Sequence, residues 1–170
     1  MAGIQASAGF GYVCFIIDVF SRMIAGRSVV RPSHADKNCV GRDRDGLMVQ
    51  RRQLPGLRCH SEAGAQLPST RYGEGLAKIG AVPSIGSGGA SYDNALAKTV
   101  NGYYKAEIVR GPARKGPWKT VERLELAAFT WVHWHDTERL HGYLSDVTPA
   151  EFEKAFYAGS TQRKKLSGIT

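Results

Sequence analysis

Two apolar runs near the start of the chain constrain its fold more than any other feature of the sequence. Residues 11–17 (GYVCFII) are rich in β-branched and aromatic side chains, and residues 23–30 (MIAGRSVV) follow after a connection of only five residues. Such residue types favour β-strands, and a short connection between two of them favours an antiparallel hairpin. The connection contains Asp18, whose carboxylate can accept hydrogen bonds from turn N–H groups. We therefore predict a β-hairpin closed by Asp18.

The rest of the chain alternates between strand-like and helix-like patterns, apart from a poorly patterned stretch at residues 31–56. The helix predicted at residues 70–79 should end at Gly80. Another helix should begin with Thr148 as N-cap and Pro149 at its first position. Short strands are predicted at residues 57–61 and 82–85, and helices at residues 70–79, 91–107 and 121–140. This order of elements predicts an α/β domain with a mixed sheet.

Composition and charge restrict the class of protein. A chain of 170 residues is long enough for one domain with a real core, and 42% apolar residues is ordinary for a soluble protein. No apolar run approaches the ~20 residues that span a bilayer, and the start lacks the pattern of a signal peptide. We therefore expect a cytoplasmic protein with no membrane partner.

The formal net charge of +8 is unevenly placed along the chain. Residues 98–119 carry six Lys or Arg against one acid, whereas residues 120–159 carry three basic residues and seven acids. A basic surface of this kind attracts polyanions, of which nucleic acid is the usual one. A solvated face that serves only solubility is the alternative, and composition does not decide between them.

The three cysteines are an odd number and include no C-x-x-C pair. Two of them, Cys14 and Cys59, fall within strand-like apolar runs, and the third is Cys39. We therefore expect buried free thiols rather than disulfides or metal ligands.

Residues 91–107 (SYDNALAKTVNGYYKAE), behind the run GSGG, read as a helix with one strongly polar stripe. Asn94, Lys98, Asn101 and Lys105 recur at spacings of four and three, which place side chains on one face of a helix. A lysine therefore occupies the middle of that stripe.

Three segments, residues 9–26, 60–108 and 116–153, resemble the insertion-sequence transposases whose catalytic domain is the retroviral-integrase core. They cover about three-fifths of the chain in the family's order and spacing. The resemblance implies a ribonuclease-H-like fold, a mixed sheet flanked by helices, whose first and central strand is here largely missing. It also implies an N-terminally truncated integrase-core-like domain at residues 1–159, followed by a basic flexible tail at residues 160–170.

In that family three carboxylates hold two divalent cations, Mg²⁺ or Mn²⁺, for phosphodiester strand transfer. The resemblance places the second acid at Glu62, in HSEAGAQ, and the third at Lys98, in DNALAKT, with the family's 35 residues (63–97) between them. The first acid would fall just before Met1, so we expect it to be absent. Glu107 and Asp93 are out of helical phase with Lys98 and replace none of the three.

These substitutions predict that this copy binds no metal cofactor and is catalytically inactive. A lysine ammonium ~4 Å from Mg²⁺ would repel it by roughly 8 kcal/mol at an effective dielectric constant of about 20. His133, His135 and His141 are not expected to share a metal, because helical residues two apart face different ways. Trp131 and Trp134 are predicted to belong to the core rather than to a base-stacking surface.

DNA is the partner that the resemblance implies, with other transposase subunits as a further candidate. The predicted DNA-contacting residues are Tyr92, Asn94, Asn101, Lys105, Arg114, Lys115 and Lys119. The sequence thus indicates a remnant of a transposase integrase core. The alternatives are a non-catalytic nucleic-acid-binding or transposase-inhibiting protein, and a product without a selected role that barely folds.

Overall fold

The computed structural model describes residues 2–6, 9–30, 56–61, 74, 76–77, 80–85, 95–111 and 118–167. Its strands are β1 (Ala2–Ala6), β2 (Gly9–Ile17), β3 (Ile24–Val30), β4 (Arg58–Ser61) and β5 (Val82–Ile85). Its helices are α1 (Ala95–Tyr104), α2 (Val121–Thr137) and α3 (Pro149–Ser167), with a π-helical turn at Lys105–Val109 and a 3₁₀ turn at Gly142–Leu144. These elements confirm the α/β class.

The predicted hairpin is confirmed. β2 and β3 pair antiparallel, with Val13 opposite Val29, and the turn between them is closed by the Asp18 carboxylate. Asp18 Oδ2 accepts hydrogen bonds from the backbone N–H of Ser21 at 2.9 Å and from its hydroxyl at 2.6 Å. Because a single side chain satisfies both groups, the turn is fixed locally, as the sequence indicated.

The prediction about the first strand is wrong. Ala2–Ala6 forms a strand, β1, that pairs antiparallel with β2 along its whole length, and Ile4 is only 2% exposed. Within the described residues β1 lies at an edge of a three-stranded sheet and β2 is its central strand. The continuous backbone of β2 supplies the hydrogen bonds that order β1, which outweighs the weak strand preference of Gly3.

A second, parallel pair is formed by β4 and β5, with Cys59 opposite Pro83. Both parallel and antiparallel pairing therefore occur, but the described strands form two sheets rather than one. Between β4 and β5, Leu76 is helical and buried, and Gly80 ends the turn with a positive φ of 74°. The N–H of Ala81 donates to the carbonyl of Leu76 at 3.0 Å, which confirms the predicted stop.

The core lies between β2 and the helices α1 and α2. Val13 from β2, Tyr104 from α1 and Leu124 from α2 belong to one buried cluster. A Cβ atom at Gly11 would lie 2.9 Å from Leu124 Cδ2, so any larger residue there requires the buried Leu124 side chain to move. A smaller cluster formed by Leu76 and Ala81 has Ile16 and Cys59 packed against it.

The start of α3 is built as predicted. Thr148 Oγ1 accepts from the N–H of Glu151 at 3.2 Å, and Glu151 Oε2 accepts in return from the Thr148 N–H at 3.1 Å. This reciprocal capping box holds the pKa of Glu151 below its usual value, with the backbone N–H of Thr148 as the main cause. The helix runs to Ser167, past residue 160, where a flexible tail was expected.

One cysteine prediction is wrong. Cys14 is disulfide-bonded, whereas Cys59 forms no disulfide and is only partly buried. Cys14 is only partly buried, because it alternates along β2 with the fully buried Val13. The apolar, strand-like sequence around Cys14 therefore does not mean that its side chain is fully buried. Cys39 lies outside the described residues.

Candidate nucleic-acid interface on helix α1

The polar stripe of α1 is present, and its members differ in exposure. Lys98 is exposed, and Lys105, which begins the π-helical turn, is partly buried. Asn101 lies between them; its Nδ2 donates to the carbonyl of Ala97 at 2.8 Å, and its Oδ1 is buried without a hydrogen-bond partner. The structure therefore places Lys98 and Asn101 on α1 and Lys105 at the start of the π-helical turn that continues it, with the two lysines offering the reachable donors.

The other predicted site residues lie either away from α1 or outside the described residues. Lys119 is exposed, immediately before Thr120, which caps α2 by accepting from the Arg123 N–H at 3.3 Å. The remaining predicted site residues, Glu62, Tyr92, Asn94, Arg114 and Lys115, lie outside the described residues.

Two buried side chains orient α1. Val100 and Tyr104 are 3% and 0% exposed and pack into the core against β2. The Tyr104 ring makes edge contacts with Phe15 and Trp131, and burial raises the pKa of its hydroxyl above the ordinary value. Since these residues hold the apolar side of α1 inward, the stripe with Lys98 is directed to the surface.

Glu107, on the π-helical turn, is fully engaged by α2 and the segment after it. Its Oε2 accepts from the Trp131 indole Nε1–H at 2.7 Å, and its Oε1 pairs with the guanidinium of Arg139. Both carboxylate oxygens therefore hold structural partners.

The role of Arg139 was missed by sequence reasoning. Its guanidinium lies 4.1 Å from the centroid of the Tyr103 ring and 5.4 Å from that of Trp134. Trp131 is buried as predicted, but Trp134 is 36% exposed because it contributes to this surface stack. Arg139 is 32 residues from Glu107 in the chain, and no local pattern signals the pairing.

The three histidines occupy different environments. His133 is exposed, whereas His135 is buried, with Nδ1 2.8 Å from Asp136 Oδ1. The His141 ring lies 4.6 Å from that of His135, and burial is the main cause that lowers the pKa of His141. Over the part of the chain that the structure describes, no group of three or more His, Cys, Asp or Glu side chains is placed to hold a metal ion.

The described residues of α1 do not fit a divalent cation. Hard cations such as Mg²⁺ take oxygen ligands, and Lys98 presents an ammonium group at the surface instead. Among the described residues from Ala95 to Gly111, the carboxylate is that of Glu107, which is occupied by Trp131 and Arg139.

Comparison with known proteins agrees with this architecture. A family described as "Integrase core domain" matches residues 99–156, which run from α1 into α3. The "Putative transposase for insertion sequence element IS986/IS6110" of Mycobacterium tuberculosis (strain ATCC 25618 / H37Rv) is 39% identical over 158 residues, covering 89% of this chain and 54% of the relative.

Two further transposases are similar over nearly the same part of the chain. The "Transposase for insertion sequence element IS629" of Shigella sonnei is 41% identical over 150 residues, covering 88% of this chain and 48% of the relative. The "Transposase for insertion sequence element IS904" of Lactococcus lactis subsp. lactis (strain IL1403) is 30% identical over 158 residues, covering 91% of this chain and 59% of the relative.

The chain thus spans about half the length of the curated relatives it matches. Among the helices in the described ranges, none has both the length and the apolar character needed to cross a bilayer. With the integrase-core match lying on α1, α2 and α3, and with full transposases similar along most of its residues, the chain belongs to the insertion-sequence transposases that carry an integrase core domain.

Proposed function

We propose that this chain is a transposase core region that binds DNA through α1 and does not perform metal-dependent strand transfer. One observation carries the proposal: the exposed Lys98 on α1, at the position where the family resemblance places the third metal-binding acid. Helix α1 therefore presents a cation at the position where the family's reaction needs an anion.

The positive charge of Lys98 has opposite effects on metal binding and on DNA binding. In the two-metal reaction, carboxylates hold the cations that stabilise the attacking and leaving oxygens. Lys98 supplies no metal ligand, and its ammonium group repels such cations. The residue at this position therefore disfavours metal binding. The same ammonium group attracts a phosphate, so DNA binding is retained or strengthened where catalysis is lost.

The charge around α1 supports binding to a polyanion. Lys98 and Arg110 are exposed, and Lys105 lies between them on the stripe. Glu107 is the sole acid between residues 98 and 119, and its charge is compensated by Arg139. The positive charge of this surface therefore has no local counter-charge from Glu107, which favours phosphate contacts.

We also infer a ribonuclease-H-like arrangement for the integrase-core-like region at residues 1–159, with a separate basic segment at residues 160–170. The layering of α1 and α2 over the sheet β1–β2–β3 supports the first part. DNA as the ligand would place the protein in the cytoplasm. Limited proteolysis tests the boundary: a separate segment is cut by trypsin at residues 163–165 before the rest of the chain, whereas a helix that continues to Ser167 protects these sites.

DNA binding is tested by fluorescence anisotropy of labelled duplex DNA across a salt series. We expect log K to fall steeply with log salt, and Lys105→Ala to reduce that slope by about one. Lys154→Ala is the matched control, because Lys154 is exposed on α3 beside Glu151 and should not alter the slope. Absence of binding at low salt would refute the binding part.

Catalysis is tested separately by nicking of supercoiled plasmid in Mg²⁺ or Mn²⁺. We expect no nicking above that of protein purified in parallel from cells lacking the gene. Metal-dependent nicking that copurifies with the chain would refute the inactive part while leaving DNA binding intact.

A further inference from the structure

Strand β2 has a neighbour on both of its edges over only part of its length. On one edge β3 pairs with Tyr12–Ile17. On the other edge β1 pairs with Gly9–Val13 alone, because its first residue, Ala2, lies opposite Val13. Among the strands that the structure describes, none pairs with this second edge at Phe15–Ile17. Such an edge presents backbone N–H and C=O groups with which an added strand can pair.

Strand β4 lies close to this edge of β2, although it belongs to the other sheet. Ile16 from β2 and Cys59 from β4 pack against the same small buried cluster. Residues that contact one shared pair of side chains lie on the order of 10 Å apart, which is about twice the distance between neighbouring strands. Within the described residues β2 and β4 are not hydrogen-bonded to each other. This separation leaves room for one strand in a space that we call the strand slot, bounded by Phe15–Ile17 and Arg58–Ser61.

The β4–β5 pair is poorly covered for a parallel sheet. Parallel strands are normally buried on both faces, and two strands by themselves are only marginally stable. Here Arg58 and His60 of β4 are exposed, and Val82 of β5, which lies opposite Arg58, is 54% exposed. A strand added in the slot would join this pair to the β1–β2–β3 sheet.

The two faces of the strand slot specify which side chains the added strand should carry. Ile16 and Cys59 face the smaller buried cluster. Phe15 and Ile17 pack against the main core, on the opposite face of β2. Since successive side chains of a strand alternate between faces, Arg58 lies on the face of β4 away from that of Cys59, and it is exposed. A strand with apolar residues towards the smaller cluster and a carboxylate beside Arg58 complements both faces.

We propose that the strand slot binds an extended segment of another polypeptide, about as long as the four residues of β4, in which apolar and acidic residues alternate. The segment runs antiparallel to β2, in line with β1, and its other edge pairs with β4. Backbone hydrogen bonds to two strands supply the affinity, and the alternation of side chains supplies the specificity. The slot contains no residue of α1, so its occupation is independent of the proposed DNA binding.

The test is fluorescence anisotropy of a labelled peptide, GVEVEVG with blocked ends, titrated with the full chain. We expect saturable binding. The peptide GVEPEVG should bind about tenfold more weakly or worse, because proline donates no hydrogen bond to a ladder. Arg58→Glu should weaken the binding of GVEVEVG by up to about fivefold and favour GVKVKVG instead. Arg123→Glu is the matched control, because it changes the net charge equally at an exposed position on α2.

Hydrogen exchange locates the bound peptide. We expect GVEVEVG to slow the exchange of amides at Phe15–Ile17 and at Arg58–Ser61 and to leave α3 unchanged. The proposal is overturned by absence of binding at millimolar peptide, by equal binding of the proline peptide, or by equal effects of Arg58→Glu and Arg123→Glu. Slowed exchange confined to other parts of the chain would also overturn it.

Discussion

The indole Nε1–H of Trp131 donates to Glu107 Oε2 at 2.7 Å, which ties the π-helical turn after α1 to the middle of α2. The other carboxylate oxygen pairs with Arg139 beyond the end of α2. An acid in the π-helical turn that follows α1 is therefore used for architecture, and the basic stripe of α1 is held at a fixed angle to α2.

Loss of the Glu107 carboxylate should lower the free energy of unfolding. Glu107→Ala leaves the indole N–H and the guanidinium without their partner, so we expect the free energy of unfolding to fall by about 1–3 kcal/mol. Urea denaturation measures it, with Glu125→Ala on α2 as the control. In a double-mutant cycle with Trp131→Phe, a coupling energy near zero would show that the hydrogen bond does not contribute.

The buried end of α2 offers a second test. Asp136 Oδ1 accepts from the backbone N–H of Ile24 at 3.1 Å, a buried contact between α2 and the first residue of β3. Asp136→Ala should lower the free energy of unfolding by about 1–3 kcal/mol, because it leaves the Ile24 N–H without its acceptor. Asp136→Asn keeps an acceptor oxygen and should lose less. Equal losses in the two variants would assign the effect to charge instead.

The parts of this fold that sequence predicted are those set by neighbours in the chain. Asp18 closes its own turn, Gly80 ends a helix by its φ, and Thr148 and Glu151 cap α3 within four residues. Each involves a local hydrogen bond or a glycine conformation, which leaves a pattern in the sequence.

Contacts between distant residues were not predictable in the same way. The family resemblance implied that the first strand was largely missing, but Ala2–Ala6 forms a strand by pairing with β2. The expected helix at residues 91–107 changes to a π-helical turn at Lys105, where Glu107 reaches Trp131 and Arg139, 24 and 32 residues away. At the candidate site, spacing located Lys98 correctly on a helix, but it could not reveal that Asn101 would donate back to that helix.

Close packing of α2 on β2 makes Gly11 sensitive to the smallest substitution. Gly11→Ala would put its Cβ atom 2.9 Å from Leu124 Cδ2, so we expect a loss of about 1–3 kcal/mol in the free energy of unfolding. Gly102→Ala is a matched control, because nothing lies within 4 Å of a Cβ atom at that exposed site on α1. There alanine should stabilise by about 0.5–1 kcal/mol. A neutral Gly11→Ala would contradict the close approach.

The environment of His141 predicts a pH dependence of stability. Burial is the main cause that lowers the pKa of His141 from its ordinary 6.5, opposed by its hydrogen bond with the His135 backbone and by Asp136, and reinforced by the charge of Arg139. The unfolded chain therefore binds a proton more readily, and this contribution to stability, complete above pH 6.5, is lost as pH falls through the folded-state pKa.

His141→Gln should consequently flatten the fall in the free energy of unfolding between about pH 7 and pH 5, measured by urea denaturation. His133→Gln, at an exposed position on α2, should leave the wild-type slope unchanged. An identical slope in wild type and His141→Gln would contradict the assignment.

Divalent metal should not stabilise the chain. A ligand that binds only the folded state raises stability by RT ln(1 + [L]/Kd), so a site occupied at millimolar Mg²⁺ would raise the melting temperature. Lys98 is exposed where the family resemblance requires a carboxylate, and we therefore expect the same cooperative transition with and without Mg²⁺ or Mn²⁺. The control is NaCl at equal ionic strength, which corrects for screening of the basic surface. A rise in melting temperature with metal beyond this control would mean that the cation finds oxygen ligands despite Lys98, and the proposal of a site without metal would fall.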